Sequence, residues 1–255
     1  MATSLTAVVI RASDTKSLSE FWTRVLGPDA VAGAGGVALE FVEADGPKRG
    51  KNRVHLDLKA GPEQLERLLR AGAVRADIGQ GEVGWVVLAD PEGNEFCLQP
   101  GLDEGIRWSA ICQDAAGPGT QRRFWAAAAY GWTVVSEGEW GVAMARTFAA
   151  GAERADTAGE GDAASAGDGD TAGEAGQAVG PGDEAGGPAR RGPLLVMGPP
   201  ATPKDGPNRL YLRVTPNRGS DAAVEASRLV AEGAKRDAAG ALMLDPEGNE
   251  FQIGG

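Results

Sequence analysis

The residues best suited to chemistry lie on one short strand-like segment. Residues 54–58 alternate apolar and polar side chains, which places His55 and Asp57 on the same face of a half-buried strand. An imidazole and a carboxylate on one face can ligate a metal ion, contact a polar ligand or hydrogen-bond to one another. His55 is the only histidine in the chain, so any imidazole chemistry depends on this position.

An internal repeat duplicates this region. The heptapeptide Asp-Pro-Glu-Gly-Asn-Glu-Phe at residues 90–96 recurs unchanged at residues 245–251, an offset of 155. Two further pairs occur in the same order, Phe21-Trp22 with Phe124-Trp125 at an offset of 103 and Asn52-Arg53 with Asn208-Arg209 at an offset of 156. The change of offset places about 53 additional residues in the second copy. The sequence therefore predicts two domains, residues 1–101 and 106–255.

The additional residues form an insertion at about 149–191 whose composition is typical of disordered segments. Residues 149–189 contain nine acidic residues, one basic residue and no aromatic residue. Such a segment buries too little apolar area to offset its ordering entropy. We predict a disordered loop, and the alternative is an acidic segment that docks a partner.

The predicted elements of the first copy place His55 and Asp57 on a strand. Apolar runs and alternation indicate strands, and 3.6-residue periodicity indicates helices. Ser13-Asp14 offers a helix cap before an apolar stripe formed by Leu18, Phe21, Trp22 and Val25. The predicted order is β-α-β-β-β-α-β-β, and five of its six strands are assigned to residues, at 5–12, 37–43, 54–58, 85–89 and 95–99, with helices at 18–26 and 65–72. The second copy repeats this order.

This ordered set of motifs resembles the glyoxalase-like domains of the vicinal-oxygen-chelate superfamily. The matching features are the Phe-Trp helix, the Asn-Arg-x-His-x-Asp strand, a Gly-Ala helix end and the terminal heptapeptide, and they cover nearly all of the chain outside the insertion. The resemblance implies an α+β fold of tandem glyoxalase-like domains, built of paired βαβββ units with curled mixed sheets and helices on the outer face. The concave side of such a sheet holds a small ligand. Members of the superfamily include glyoxalase I, extradiol dioxygenases, fosfomycin-resistance enzymes and bleomycin-binding proteins.

The resemblance also implies where a divalent metal would bind, on the first and last strands of each unit. His55 matches a ligand position, but Tyr211 replaces it in the second copy. The terminal ligand position is Cys97 in the first copy and Gln252 in the second. We therefore predict a degenerate site with no metal ligands and no cofactor, and the alternative is a divalent metal to which Glu40 or Glu95 contributes.

The candidate cleft residues form one set in each copy, namely His55, Asp57, Glu95 and Cys97, and Tyr211, Arg213, Glu250 and Gln252. Structural explanations stand beside the functional one. His55 can hydrogen-bond to Asp57 or Glu95, Cys97 can be a small core residue, and Arg213 can pair with Glu250. Turn chemistry explains the heptapeptide. Trp22 and Trp125 are expected in the core, whereas Trp108, Trp132 and Trp140 are candidates for lining a cleft.

Together these features favour a metal-independent small-molecule-binding protein that sequesters an antibiotic or metabolite. The alternatives are a metal-dependent lyase or dioxygenase and a non-catalytic scaffold that docks partners through the acidic insertion, so whether the protein is an enzyme stays open. The net charge of −11 without a basic stripe argues against nucleic acid as a partner. No apolar run is long enough to span a membrane, and two cysteines without disulfide or zinc spacing favour the cytoplasm. We expect a monomer with intrachain domain pairing or a homodimer.

Overall fold

The computed structural model describes residues 2–44, 46, 48–147, 192–199, 203–238 and 240–254. The predicted insertion at about 149–191 lies outside the described residues. None of the described helices has the length and apolar character needed to span a bilayer. The helices are α1 Thr15–Leu26, α2 Pro28–Val31, α3 Gln64–Ala71, α4 Pro118–Ala128 and α5 Ala222–Ala231.

Fourteen described strands build the sheets. The first copy supplies β1 Thr3–Ala12, β2 Ala38–Glu43, β3 Val54–Ala60, β4 Val74–Arg75, β5 Val86–Ala89 and β6 Glu95–Pro100. The second copy supplies β7 Ile106–Asp114, β8 Trp132–Gly138, β9 Gly141–Arg146, β10 Leu194–Gly198, β11 Leu210–Pro216, β12 Lys235–Arg236, β13 Met243–Leu244 and β14 Glu250–Ile253. The strands and long helices to which the sequence assigned residues are all present, with ends shifted by a few residues. The predicted order is wrong in one respect: two strands, not three, lie between α1 and α3, and three strands follow α3.

The strands form two mixed sheets, and each sheet takes strands from both copies. The six-stranded sheet has the order β12-β13-β14-β11-β1-β2, and the eight-stranded sheet has the order β4-β5-β6-β3-β7-β10-β9-β8. At the centre of each sheet the copies meet in antiparallel pairs, β1 with β11 and β3 with β7. The first βαβββ unit thus pairs with the fourth and the second with the third. The predicted α+β fold of paired units is confirmed.

The helices cover one face of each sheet, where the repeated aromatic residues form the core. The predicted stripe of α1 is buried, and Trp22 is 1% exposed. Its ring lies 5.3 Å from that of Phe96, the last residue of the heptapeptide. In the second copy Trp125 and Phe251 repeat the contact at 5.8 Å. Both tryptophans are core residues, as predicted, and each heptapeptide ends by anchoring a strand to a helix.

The heptapeptide is a turn, as its composition predicts. The carboxylate of Asp90 accepts hydrogen bonds from the backbone amides of Glu92 and Asn94, each at 2.9 Å. Gly93 has a φ of 80°, a left-handed conformation that glycine adopts without a steric penalty. Asp90 also accepts a hydrogen bond from Trp22 Nε1 at 3.2 Å, so the turn is tied to α1. Burial raises the pKa of Asp90, against the opposing effect of these hydrogen bonds.

Reciprocal ion pairs join the two copies through the same repeated motifs. Arg209 donates to Glu92 Oε2 at 2.9 Å, and Arg53 lies 3.8 Å from Glu247 Oε2. Glu92 also accepts from the Asp14 backbone amide at 2.9 Å. The two arginines are each 6% exposed. The Asn-Arg motif of each copy therefore docks on the heptapeptide turn of the other, and we call these contacts the reciprocal clamps.

The Glu92 clamp predicts a pH-dependent contribution to stability. Partial burial acts to raise the pKa of Glu92, but hydrogen bonds from the Asp14 and Ser13 amides and the Arg209 charge together hold it below 4.5. A lowered folded pKa stabilises the protein above the unfolded pKa, and this stability is lost as pH falls through the folded value. Glu92→Gln should therefore lower the free energy of unfolding by about 1–2 kcal/mol at pH 7.

The difference between Glu92→Gln and the parent protein should shrink as the pH falls below 4.5. Urea unfolding at a series of pH values measures it, with Glu137→Gln as the control because Glu137 pairs with Arg122 at the exposed surface. A destabilisation by Glu92→Gln that stays constant down to the lowest pH would show that the charge of Glu92 contributes nothing.

Candidate functional site

The candidate site lies on the face of the eight-stranded sheet that points away from the helices, here called its inner face. Leu56 and Leu58 of β3 pack into the helix-covered core. His55 and Asp57 alternate with them and therefore point to the inner face. The sequence-predicted division of this strand is confirmed. The site begins with one half-buried histidine and one carboxylate that is 8% exposed.

Three of the predicted residues come together on this face. His55, Asp57 and Cys97 each present a possible metal-ligand atom, and the three atoms lie within 4.8 Å of one another. We call them the His–Asp–Cys cluster. β3 and β6 are parallel and place Asp57 beside Cys97, and His55 Nε2 lies 3.4 Å from Asp57 Oδ1. It is a close approach without a hydrogen bond, because Asp57 Oδ1 makes none among the described residues, so the hydrogen bond predicted between His55 and Asp57 is not formed.

Two further residues of the site were missed by the sequence analysis. Gln99 donates from Nε2 to Asp57 Oδ2 at 2.7 Å, and it follows Cys97 by two residues on the same strand, so alternation could have found it. Cys112 lies directly across from His55 in the antiparallel pair of β3 and β7. Only the pairing of units from different copies brings Cys112 here, and no local pattern indicates that pairing.

The cluster leaves polar atoms without partners. His55 Nδ1 and Asp57 Oδ1 are buried and make no hydrogen bond among the described residues, an arrangement that costs free energy unless a ligand satisfies them. Burial, with the nearby Asp57 carboxylate, raises the pKa of the Cys97 thiol. The same two causes raise the pKa of the Cys112 thiol well above its ordinary value. Both cysteines are therefore neutral thiols in the protein as it stands, and neither is an activated nucleophile.

A set of small apolar side chains continues the inner face beyond the cluster. We call it the apolar floor. Alanines and a cysteine give this surface short side chains, and each of its buried members is at most 9% exposed. Its buried members are Ala110, Cys112, Ala143, Ala145 and Leu194, with Trp140 and Val196 packed against them. The inner face thus joins a polar cluster on β3 and β6 to an apolar surface on β7, β9 and β10.

The six-stranded sheet carries the other predicted set, arranged differently. Arg213 occupies the place of Asp57 and donates from Nε to Gln252 Oε1 at 3.0 Å. It also forms an ion pair with Glu40 of β2. The predicted pair of Arg213 with Glu250 is wrong, because Glu40 lies on the parallel strand beside β1 and reaches Arg213 from the first copy. Glu40 is therefore also remote from the His–Asp–Cys cluster, in the other sheet.

Tyr211, in the place of His55, lies on the same face as Arg213. The Arg11 guanidinium carbon is 5.2 Å from the centroid of its ring, a cation–π distance. Burial raises the pKa of the Tyr211 hydroxyl. The inner face of this sheet is thus occupied by side chains that contact one another.

The two predicted glutamates, Glu95 and Glu250, bind loop residues and take no part in the inner-face contacts described for either sheet. Glu95 accepts from Lys48 Nζ at 2.7 Å and from the Asn52 backbone amide at 3.2 Å. Glu250 makes the same two contacts with Lys204 and Asn208, at 2.7 and 3.2 Å. This equivalence shows that both glutamates fix the segment that precedes the Asn-Arg motif.

The tryptophans predicted to line a cleft divide between the two faces. Trp108 and Trp132 belong to the helix-covered core and are 7% and 4% exposed. Trp140, at the turn between β8 and β9, packs against the apolar floor. Simple alternation would place Trp108 on the inner face with Ala110. A register shift between β3 and β7 next to Asp57 pairs Leu58 with Trp108, and such a shift turns the side chain to the opposite face.

Comparison with known proteins agrees with this geometry. A family model described as a glyoxalase-like domain matches residues 7–99 and 110–254. Glyoxalase I from Zea mays is similar in structure, with a TM-score of 0.53 at 10% identity over 99% of this chain and 92% of that chain. A candidate dioxygenase from Bacillus subtilis has a TM-score of 0.53 at 12% identity, over 99% and 85%. At such identities the likeness shows the fold alone. No curated protein sequence matches the chain.

Proposed function

The chain belongs to the glyoxalase-like domain family, and from this premise we propose that it binds a small molecule on the inner face of the eight-stranded sheet. One observation carries the proposal: a buried polar cluster with unpartnered atoms lies beside an apolar floor of small side chains. Small-molecule sites combine an apolar lining with a few oriented polar groups. Sequestration of an antibiotic or metabolite is the role that such a site supports best.

The chemistry of the cluster defines what the ligand must offer. Asp57 Oδ1 is a buried acceptor without a partner, so a hydrogen-bond donor on the ligand gains affinity there. His55 Nδ1 is a second free atom, and it accepts or donates according to the tautomer. The apolar side chains of the floor would contact the apolar part. We infer a ligand with a polar, donor-bearing end and an apolar body.

The six-stranded sheet is the less suitable of the two inner faces. Its central guanidinium already binds Glu40 and Gln252, so a ligand there must break an ion pair before it gains a contact. This difference supports one ligand site per chain, on the side of His55.

A thermal-shift screen of hydrophobic small molecules tests the proposal on the full chain. A binding compound should raise the melting temperature, and Asp57→Asn should weaken its affinity by about tenfold or more because a charge-assisted hydrogen bond becomes neutral. Tyr211→Phe is the matched control, since Tyr211 is the counterpart of His55 in the other sheet. Binding that survives Asp57→Asn and is lost in Tyr211→Phe would place the ligand on the wrong sheet and overturn the proposal.

A second candidate function, a metal-dependent lyase or dioxygenase reaction, is favoured by the close approach of the three atoms of the His–Asp–Cys cluster. The residues fit a divalent ion, because they offer a nitrogen, an oxygen and a sulfur donor, two of them on residues with unpartnered buried atoms. His55, Asp57 and Cys97 would hold the ion. When bound, such an ion acts as a Lewis acid on ligand oxygens.

Assays of lyase and dioxygenase activity with metal-supplemented protein test this second candidate. Turnover that is lost in His55→Ala and retained in Tyr211→Phe would favour it. Turnover that is unchanged in His55→Ala would place the reaction outside the cluster.

A further inference from the structure

A cavity on the helix side of the first copy is lined by arginines, and we call it the arginine cavity. It lies between the last turn of α1 and the neighbouring helix α3 and has a volume of about 310 Å³. Its lining residues are Arg24, Val25, Arg67, Arg70 and Ala71. The chain has a net charge of −11, so a described lining with three cationic and no acidic side chains contrasts with the charge of the chain as a whole.

Arg67 bridges the two helices while its charge stays uncompensated. Its Nη1 donates to Gln64 Oε1 at 3.0 Å, and its Nη2 donates to the Arg24 carbonyl oxygen at 2.9 Å. Both acceptors are neutral, and these bonds use two of the five N–H donors of the side chain. Among the described residues, no ion pair joins Arg24, Arg67 or Arg70 to a carboxylate. The arginine cavity therefore offers an anion both hydrogen-bond donors and positive charge.

The corresponding arginine of the second copy is neutralised. Helices α3 and α5 align at an offset of 161, which superposes their Gly-Ala ends, so Arg228 corresponds to Arg67 and Glu225 to Gln64. Arg228 Nε donates to Glu225 Oε2 at 2.6 Å, and Glu225 is completely buried. The glutamine of the first copy supplies no such charge, so a single substitution leaves Arg67 without the ion pair that its counterpart has.

The other two arginines are replaced by alanine in the second copy. Arg24 corresponds to Ala127 at the offset of 103, and Arg70 corresponds to Ala231 at the offset of 161. A basic residue in the last turn stabilises a helix through its dipole, and Arg24 and Arg70 both occupy such turns. Helices α4 and α5 nevertheless form with alanine at these positions. Helix formation therefore does not account for the two arginines, whereas a bound anion does.

We propose that the arginine cavity binds a small organic phosphate monoester, with its phosphate group held by the three guanidiniums. Guanidiniums form bidentate, charge-assisted hydrogen bonds to phosphate, and a phosphate monoester carries a charge of about −1.5 to −2 at pH 7. The volume is at the lower end of the range of about 300–1,000 Å³ for ligand sites, and Val25 and Ala71 would contact the carbon atoms of the ester. The cavity lies on the helix side, so the inference is independent of the site proposed for the inner face.

Isothermal titration calorimetry of the untagged full-length protein with phenyl phosphate tests the proposal. We expect one ligand per chain, bound about fourfold more tightly than inorganic phosphate because a methylene-sized apolar area is buried. Arg24→Ala and Arg70→Ala install the residues of the second copy, and each should weaken binding by about tenfold or more through the loss of a charge-assisted hydrogen bond. Gln64→Glu supplies the carboxylate that neutralises Arg228, so it should weaken binding similarly while every arginine is kept.

A matched control and a second phosphate source complete the experiment. Arg123 is an exposed arginine of α4 that donates to Thr120 Oγ1 at 3.3 Å, and Arg123→Ala should bind phenyl phosphate as the parent protein does. A short phosphoserine peptide should bind no more tightly than phenyl phosphate. Circular dichroism of each variant establishes that it is folded.

Three outcomes overturn the inference. They are no binding of phenyl phosphate by the parent protein, unchanged binding in the double variant Arg24→Ala/Arg70→Ala, and tighter binding of either inorganic phosphate or the phosphoserine peptide than of phenyl phosphate. None of them affects the proposal for the inner face, whose test is the Asp57-dependent thermal shift. Conversely, a protein that binds phenyl phosphate through these arginines and shows no Asp57-dependent ligand would leave the inference intact and the proposed function wrong.

Discussion

Phe96→Ala is expected to lower the free energy of unfolding by about 3–5 kcal/mol. Phe96 is completely buried and contacts both aromatic residues of α1, with ring centroids 5.3 Å from Trp22 and 6.5 Å from Phe21. Its removal leaves a cavity that these rigid rings fill poorly. Because β6 also carries Cys97 on its other face, the loosened strand should weaken binding at the site as well.

Urea unfolding followed by tryptophan fluorescence measures this effect. Phe251→Ala removes the equivalent ring of the second copy, which packs on Phe124 and Trp125, and should cost a similar amount. Val135→Ala is the control, because Val135 is 39% exposed on β8, and it should change the free energy by no more than about 0.5 kcal/mol. A Phe96→Ala cost within the range of this control would contradict the assignment of Phe96 to the core.

Arg209→Ala is expected to destabilise the protein by about 3 kcal/mol, because it leaves the partly buried Glu92 carboxylate without its charged partner. Arg209 also donates to the Gly46 carbonyl at 3.0 Å. The contacts of Arg209 join the second copy to two loops of the first, so their loss weakens the attachment of the six-stranded sheet to the other sheet.

The second reciprocal clamp provides a matched variant for Arg209→Ala. Arg53→Ala removes the reciprocal contact to Glu247 and should destabilise the protein less, since its guanidinium lies 3.8 Å from the carboxylate, whereas that of Arg209 lies 2.9 Å from its partner. Arg122→Ala breaks the exposed pair with Glu137 and should cost about 0–1 kcal/mol. Equal unfolding free energies for Arg209→Ala and Arg122→Ala would show that the clamp contributes no more than a surface pair.

Much of the architecture could be predicted from the sequence because each residue of the repeated motif has a specific structural role in both copies. The heptapeptide needs Asp90 to close its turn and Phe96 to anchor its strand, and both copies keep both residues. The alternation around His55 likewise determined which face of β3 is buried. These features depend on residues that are close in sequence, so the sequence alone is enough to predict them.

The site could be predicted only in part, because its composition depends on which units share a sheet. Cys112 reaches the site by pairing across the two copies, and Glu40 reaches Arg213 in the same way. No periodicity within either copy encodes these contacts. The predicted sets of four therefore each contained one residue, Glu95 or Glu250, that holds a loop.

The two sheets have the same arrangement of strands, but their inner faces differ at a few positions, and this difference explains why we propose one inner-face ligand site per chain instead of two. Where the eight-stranded sheet has Asp57, Cys97 and Cys112, the six-stranded sheet has Arg213, Gln252 and Val9. Arg213 is paired with Glu40 and Gln252. An ion pair with Glu40 and a hydrogen bond to Gln252 engage Arg213 on the second face, whereas His55 and Asp57 on the first face each retain a buried atom without a partner among the described residues. The asymmetry follows from a few substitutions on a common backbone.

The most direct test of a single site on the eight-stranded sheet is methyl NMR of alanine-labelled protein with and without a compound that stabilises it. Ala110 lies on the apolar floor, and Ala7 occupies the equivalent position beside Arg213 in the other sheet. The account predicts that the compound shifts the methyl signals of Ala110, Ala143 and Ala145 and leaves Ala7 unchanged. A shift of Ala7 with an unchanged floor would place the ligand on the six-stranded sheet and contradict the account.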